Sequence, residues 1–125
     1  MIKGCGIDII EVERIKKNIE NERFLKKLYT EKEIEYLNER KFNPQTAAGL
    51  FAAKEAVSKC LGTGFSTFGA ADIEILKDDN GKPIVNLSKN ALIISNQKGI
   101  SSIHLSITHI KDYALAYAVA EGDQL

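Results

Sequence analysis

Apolar residues recur with a helical period through the segment from Asn43 to Gly64. Asn43 followed by Pro44 is typical of a helix start, and Gly62 and Gly64 stand where helices commonly stop. The pattern therefore predicts one long helix. At about 100° per residue, its apolar face holds Leu50, Ala53, Ala56, Val57, Cys60 and Leu61.

A second face of this helix carries Phe51, Glu55 and Lys59. Glu55 and Lys59 are four residues apart and therefore neighbours, so helix geometry alone favours an ordinary exposed ion pair. The alternative is functional, because a carboxylate beside an ammonium and a Gly62-Thr63-Gly64 turn can hold a metal ion and a phosphate. The loop that follows, rich in Gly, Ser and Thr, suits phosphate binding but serves equally well as a connector.

The remaining elements follow from the same periodicities and from turn residues. Helical segments are predicted at Glu11–Lys27 with a break near Asn18–Asn21, at Thr30–Lys41 after a Thr30–Glu33 capping box, and at Lys89–Gln97 after a Ser88 cap. Strands are predicted at Ile2–Ile10, Asp72–Leu76, Pro83–Leu87, Ser101–His109 and Tyr113–Val119. Helices cluster early and strands late, which favours an α+β fold with an antiparallel sheet on the long helix, in one domain over residues 1–125.

The last two strands alternate along their length. Ile103, Leu105 and Ile107 point one way, and His104, Ser106 and Thr108 point the other. The second strand repeats the alternation with Tyr113, Leu115, Tyr117 and Val119. We therefore expect an antiparallel hairpin with one polar face that carries functional groups.

Asp8 interrupts the apolar first strand. A buried carboxylate is costly unless a cation or hydrogen bonds neutralise it. Asp8 is either the N-cap of the following helix, for which it lies slightly early, or the partner of a metal or a positive group.

Composition removes some classes of function. Seventeen basic and seventeen acidic residues cancel, so overall charge does not indicate nucleic acid binding. No apolar run approaches the ~20 residues that span a bilayer, and Met1 leads directly into the first strand. Cys5 and Cys60 form no disulfide framework. We expect a cytoplasmic protein whose positive segment, Arg14–Lys27, can dock an acidic partner.

Four motifs, taken together, resemble the holo-acyl carrier protein synthases, the small bacterial type of 4′-phosphopantetheinyl transferase. They are GIDIIEVERI (6–15), FAAKEAVSKCLGTG (51–64), DNGKP (79–83) and SITH (106–109), and the resemblance covers essentially the whole chain. It implies a 4′-phosphopantetheinyl transferase-like fold and a homotrimer with active sites between subunits. It also implies transfer of the 4′-phosphopantetheine arm of coenzyme A to a serine of apo-acyl carrier protein. This releases 3′,5′-ADP and supports fatty acid biosynthesis.

The resemblance assigns roles residue by residue. Asp8 and Glu55 would bind Mg²⁺, which prefers hard oxygen ligands and takes one or two carboxylates with substrate phosphates. Lys59 would contact phosphate and protonate the leaving group. His109 is a candidate proton acceptor, although a structural histidine is equally compatible with the sequence. The expected contacts to coenzyme A, besides Lys59, are Gly62, Thr63, Gly64, Pro83, Thr108 and, at the 3′-phosphate, His104.

Two further points concern partners. Acyl carrier protein is expected to dock on the basic first helix, at Arg14 and Arg23. Leu50 stands where the family commonly has an arginine that helps to bind the 3′-phosphate, and Lys54, Arg40 or Lys41 are candidates to compensate.

Two other functions compete with the transferase. One is a non-catalytic module that grips an acidic carrier-type protein through Arg14–Lys27, which leaves Asp8 unexplained. The other is a different Mg²⁺-dependent nucleotide phosphohydrolase, which gives no role to the basic helix.

Overall fold

The computed structural model describes residues 1–123, which form five strands, five α-helices and one short 3-10 helix at Ala70–Asp72. The strands are β1 (Ile2–Glu11), β2 (Ile73–Lys77), β3 (Pro83–Leu87), β4 (Ile100–His109) and β5 (Tyr113–Gly122). The helices are α1 (Val12–Lys16), α2 (Glu22–Leu28), α3 (Glu31–Glu39), α4 (Pro44–Cys60) and α5 (Lys89–Gln97). Each helix within residues 1–123 is too short or too polar to span a bilayer.

The strands form two antiparallel sheets. One has the order β1-β5-β4, and the other is the β2-β3 hairpin. The long helix α4 packs across one face of the three-stranded sheet, with its apolar residues buried against it. The α+β class and the antiparallel sheet on a long helix are therefore confirmed.

Small residues allow α4 to lie close to the sheet. On β5, Ala114, Ala116, Ala118 and Ala120 alternate with larger residues and are fully buried under the helix. On β1, a Cβ atom at Gly6 would lie 2.0 Å from the carbonyl oxygen of Ala56 in α4. Only glycine fits at that point, because real atoms do not approach so closely. The strand that carries Asp8 is thereby pressed against the helix that carries Glu55 and Lys59.

The other face of the three-stranded sheet differs from the prediction. His104, Ser106 and Thr108 do lie exposed on it, as the alternation predicts. Their register partners on β5, however, are Val119, Tyr117 and Leu115. The face is therefore mixed, and not polar as predicted, because alanines take the helix side of β5 and leave its large residues outside.

Helix boundaries were predicted well where capping chemistry is explicit. The Thr30–Glu33 capping box is present, and the Asn43 side chain accepts hydrogen bonds from the N–H groups of Gln45 and Thr46. Helices α1 and α2 are separated by a turn, as the break near Asn18–Asn21 predicted. Ser88 stands at the N-cap of α5 but caps nothing with its side chain. Its hydroxyl donates instead to the carbonyl oxygen of Asp72, at 3.4 Å.

Candidate functional site

Asp8 lies on the helix-facing side of β1 and meets the end of α4. The ammonium of Lys59 is 3.1 Å from Asp8 Oδ1 and donates a second hydrogen bond, of 3.0 Å, to the carbonyl oxygen of Ile7. Asp8 does not cap α1, whose N-cap position is held by Glu11. The strand carboxylate is therefore neutralised by a cation that comes from 51 residues further along the chain.

Glu55 completes this site. Burial and the nearby Asp8 carboxylate raise the pKa of Glu55, while the positive charges of Lys59 and Arg14 lower it in part. The carboxylates of Asp8 on β1 and Glu55 on α4 thus lie close together, with the cations Lys59 and Arg14 beside them. Lys59 follows Glu55 by one turn of α4. We call Asp8, Glu55 and Lys59 the carboxylate–lysine cluster. The exposed ion-pair interpretation of Glu55 and Lys59 is wrong in its essential point, because Lys59 pairs with Asp8.

The cluster suits Mg²⁺ by the chemistry of its donors. Two carboxylates of like charge, close enough for one to raise the pKa of the other, are a hard-oxygen pair that suits a dication. The Lys59 ammonium, a single positive charge, already pairs with the Asp8 carboxylate. Residues 1–123 contain no set of three or more His, Cys, Asp or Glu placed to hold a metal. Mg²⁺ takes one or two protein carboxylates and completes its shell with water and substrate phosphates.

The turn after α4 serves first as a helix cap. Gly62 and Gly64 have positive φ angles of 86° and 59°, which favour glycine. The Gly62 N–H donates to the Lys59 carbonyl and the Gly64 N–H to the Ser58 carbonyl, while the Thr63 hydroxyl donates to the Gly64 carbonyl at 3.0 Å. Lys98 also donates to the Leu61 carbonyl at this helix end. Phosphate binding by Gly62, Thr63 and Gly64 stays a prediction.

The two histidines lie on opposite faces of the sheet. His109 ends β4 on the same side as Asp8, beside Leu50. His104 lies on the outer face, where its Nε2 is 2.9 Å from a carboxylate oxygen of Glu121. Thr108 shares that outer face, and Pro83 begins β3 opposite Lys77. Within one chain, His104 and Thr108 therefore do not face the carboxylate–lysine cluster.

Lys54 has a role that the sequence reasoning missed. Its side chain is fully buried, 2.6 Å from the equally buried carboxylate of Glu33, and it donates to the carbonyl oxygens of Ala70 and Ile73. As a candidate to bind phosphate it is therefore wrong. A signal existed, because position 54 falls with Leu50, Val57 and Leu61 on the apolar face of α4.

A cleft with a basic rim lies next to the cluster. It measures about 310 Å³ and is formed where α1 and α2 meet α4. Phe24, Leu28 and Phe51 supply apolar walls, and Arg14 and Lys17 stand at its edge. Arg14 lies close enough to Glu55 to lower the pKa of that carboxyl, so one residue of the cleft also acts on the cluster. Arg23 is exposed on α2.

Comparison with known proteins gives concordant matches. The model of the 4′-phosphopantetheinyl transferase superfamily matches residues 4–118. A holo-[acyl-carrier-protein] synthase of Clostridium botulinum (strain Alaska E43 / Type E3) is 56% identical over 122 residues, which cover 97% of this chain and 98% of the relative.

Two solved structures are similar along nearly their full length. The Helicobacter pylori holo-[acyl-carrier-protein] synthase in complex with coenzyme A has a TM-score of 0.83 and 32% identity, covering 94% of this chain and 99% of that one. The Bacillus anthracis holo-(acyl-carrier-protein) synthase in complex with CoA (3′,5′-ADP) has a TM-score of 0.79 and 40% identity, covering 98% and 99%.

Proposed function

This chain belongs to the holo-[acyl-carrier-protein] synthase family of the 4′-phosphopantetheinyl transferase superfamily, and we propose that it transfers the 4′-phosphopantetheine arm of coenzyme A to a serine of apo-acyl carrier protein. The observation that carries the proposal is the carboxylate–lysine cluster, in which Asp8, Glu55 and Lys59 converge from β1 and α4. A role in fatty acid biosynthesis follows from the proposed acceptor. Two similar proteins were solved with coenzyme A, which supports it as the donor.

The cluster suits attack on a pyrophosphate. Asp8 and Glu55 would hold Mg²⁺, which when bound neutralises negative charge on the phosphate oxygens. The Lys59 side chain is half exposed at the same place. It can turn from Asp8 to a phosphate oxygen and donate a proton to the departing 3′,5′-ADP. Positioning and charge stabilisation by fixed groups are the main sources of rate in such a reaction.

The serine hydroxyl must lose a proton as it attacks. His109 is our candidate acceptor, since it stands on the same side of the sheet as Asp8. Two strand spacings separate β4 from β1, about 10 Å. Direct proton transfer to His109 therefore requires a serine that reaches across this gap, or a His109 from a neighbouring subunit.

A homotrimer is supported by the outer face of the three-stranded sheet. Ile7 and Ile9 on β1 and Tyr117 on β5 are 53%, 61% and 45% exposed, and Ile7 is the register partner of Tyr117. These three residues form an apolar patch on the mixed outer face, and an exposed patch of this kind commonly marks a protein–protein contact. Other copies of the chain are the proposed occupants. Such an assembly would bring His104 and Thr108, which lie on this face, towards a neighbour's site.

Docking of acyl carrier protein is proposed at the cleft with the basic rim. Arg14 and the exposed Arg23 would meet acidic side chains, and the apolar walls would receive a buried side chain of the partner. The place is suitable because Arg14 also lies beside Glu55. A carrier held there presents its serine next to the cluster.

We propose the cytoplasm as the location of this protein. Cys5 and Cys60 are free thiols, as expected in that reducing compartment.

The test is incubation with coenzyme A, Mg²⁺ and apo-acyl carrier protein, read by intact-protein mass spectrometry. We expect a carrier heavier by one 4′-phosphopantetheine group. Carrier binding without any mass change, and indifferent to Mg²⁺ and coenzyme A, would favour a non-catalytic module. Turnover of coenzyme A without a carrier would favour a phosphohydrolase.

A further inference from the structure

Side chains at the two ends of α5 hold the loop that follows α4. At the C-terminal end of α5, the ammonium of Lys98 donates to the carbonyl oxygen of Leu61. At its N-terminal end, the side-chain amide of Asn90 donates to the carbonyl oxygen of Thr67, at 3.0 Å. The loop residues 62–66 therefore lie between two points that are fixed by the same helix.

The ammonium of Lys98 lies directly against the turn at the end of α4. A Cβ atom at Gly62 would be only 2.6 Å from Lys98 Nζ. Lys98 is the C-cap residue of α5, and its own N–H donates to the Ile94 carbonyl, so the end of this helix directs the side chain towards the turn. The cation is thus next to the Gly62-Thr63-Gly64 turn, although it comes from a distant part of the chain.

The charge of Lys98 acts on the C-terminal end of α4. The last carbonyl groups of a helix carry a partial negative charge of about half an elementary charge, which disfavours an anion nearby. Lys59, the basic residue of the last turn, pairs with Asp8. Lys98 contacts the helix end itself, and within residues 1–123 no carboxylate oxygen lies within 4.0 Å of its ammonium. Its unpaired positive charge therefore offsets the negative end of α4.

The loop between the two fixed points has hydrogen-bond donors to offer. The N–H groups of Gly62 and Gly64 are used inside the turn. Those of Thr63, Phe65 and Ser66, by contrast, donate to no backbone carbonyl in the described part of the chain. Successive backbone N–H groups in a turn suit the oxygens of a phosphate. They can serve an anion here only if the negative end of α4 is offset.

We infer that Lys98 is a positioning residue that makes the loop after α4 able to accept the pyrophosphate of coenzyme A. The inference rests on the proposed function, which supplies a ligand with such a group. Lys98 holds the Leu61 carbonyl and offsets the charge of the helix end, and it acts through the loop without contact to the ligand. It lies outside the four motifs that carry the family resemblance, so the sequence did not single it out.

The test measures transfer kinetics of the wild-type chain, Lys98→Met and Lys98→Arg at saturating acyl carrier protein. Lys98→Met keeps the length of the side chain but removes its charge and its donor. We expect its KM for coenzyme A to rise about three- to tenfold, the size of effect that a charge exerts at a helix end, with a smaller change in kcat. Lys98→Arg should restore most of the lost affinity, because a guanidinium keeps both the charge and a donor.

Lys32→Met is the matched control. It removes the same charge from an exposed lysine of α3, and it should leave the KM for coenzyme A unchanged. An unchanged KM in Lys98→Met would overturn the inference. So would a KM that rises equally in Lys32→Met, because the effect would then come from overall charge. A purely structural role of Lys98 would lower the free energy of urea unfolding and leave the KM of the folded enzyme as it was.

A binding measurement separates failure of this inference from failure of the proposed function. Calorimetry compares adenosine 5′-diphosphate with adenosine in the presence of Mg²⁺ and without any carrier protein. We expect the wild-type chain and Lys32→Met to prefer the diphosphate, and Lys98→Met to lose about three- to tenfold of that preference. This result would support the inference even for a chain that transfers nothing. A wild-type chain without the preference, or a full preference in Lys98→Met, would overturn it.

Discussion

The ammonium of Lys59 lies 3.1 Å from the carboxylate of Asp8, across the contact between α4 and β1. This pair explains how an acidic residue is tolerated in an apolar strand. It also places a movable cation next to Glu55, whose carboxylate is the second negative group of the site. The chemistry of the chain therefore depends on how closely the first strand approaches the long helix.

Gly6→Ala tests that approach. The added Cβ would meet the Ala56 carbonyl oxygen at 2.0 Å and the Cys60 amide nitrogen at 2.8 Å, so β1 must shift away from α4. We expect a loss of roughly 1–3 kcal/mol or more in the free energy of unfolding, as for overpacked cores. Urea unfolding measures it. Gly69→Ala is the control, because nothing lies within 4 Å of its added Cβ. Equal stability of the two variants would show that the contact is not tight.

Lys54→Met tests the buried ion pair. It leaves the Glu33 carboxylate buried without its partner, which typically costs about 3–5 kcal/mol. We expect the double variant Glu33→Gln/Lys54→Met to regain part of that loss in urea unfolding. A double variant no more stable than the single one would mean that lost packing of the Lys54 side chain, and not its charge, sets the cost.

The Lys54→Met variant should also depend on pH in a defined direction. Burial raises the pKa of Glu33, and Lys54 opposes that rise, so removing Lys54 raises the pKa further. The folded variant then holds its proton more firmly than the unfolded chain does. Its stability deficit relative to the wild-type chain should grow as pH rises above the ordinary carboxyl range and shrink below it. A deficit that stays constant from about pH 4, near the ordinary carboxyl pKa, up to about pH 8 would contradict this.

Divalent cation binding should depend on the ionisation of Glu55. Burial and Asp8 raise the pKa of Glu55, so a proton competes with the metal as the solution becomes more acidic. We expect affinity for Mg²⁺, or for Mn²⁺ followed by electron paramagnetic resonance, to fall as pH falls through that raised pKa. Glu55→Gln should weaken binding at every pH. Unchanged affinity in that variant would remove Glu55 from the metal site without reference to activity.

Tyr117→Glu tests the proposed assembly. The substitution places a charge in the apolar patch of the outer face, opposite Ile7. We expect light scattering to show a trimer for the wild-type chain and a smaller species for the variant. Ile84→Glu, which alters a comparably exposed apolar residue on the separate β2-β3 hairpin, is the control. A wild-type monomer, or a variant that assembles normally, would contradict the role of this face.

Most elements were predictable because their signals are local. The Asn43 cap, the Thr30–Glu33 capping box and the strand alternation of β4 depend on neighbours in sequence, and each appears in the structure. The outer face of β5 was not predictable in the same way. Its alternation is clear, but whether Ala or Tyr faces the helix depends on how close α4 approaches, which Gly6 on another strand decides.

The site could be predicted only in part from the sequence, because its residues meet through contacts between distant segments of the chain. Asp8 stood out as an acid in an apolar strand, but its partner lies 51 residues away. Lys54 was misread as a candidate to compensate for Leu50 at the 3′-phosphate, because its burial against Glu33 is a tertiary property.

The most direct test of the account is transfer by the wild-type chain and by Glu55→Gln, measured as the intact mass of apo-acyl carrier protein after incubation with Mg²⁺ and coenzyme A. We predict that the wild-type chain adds one 4′-phosphopantetheine group to the carrier. Glu55→Gln should remain folded by circular dichroism and add none within the same time. No mass change with the wild-type chain across several carrier proteins, or full transfer by Glu55→Gln, would contradict the central claim.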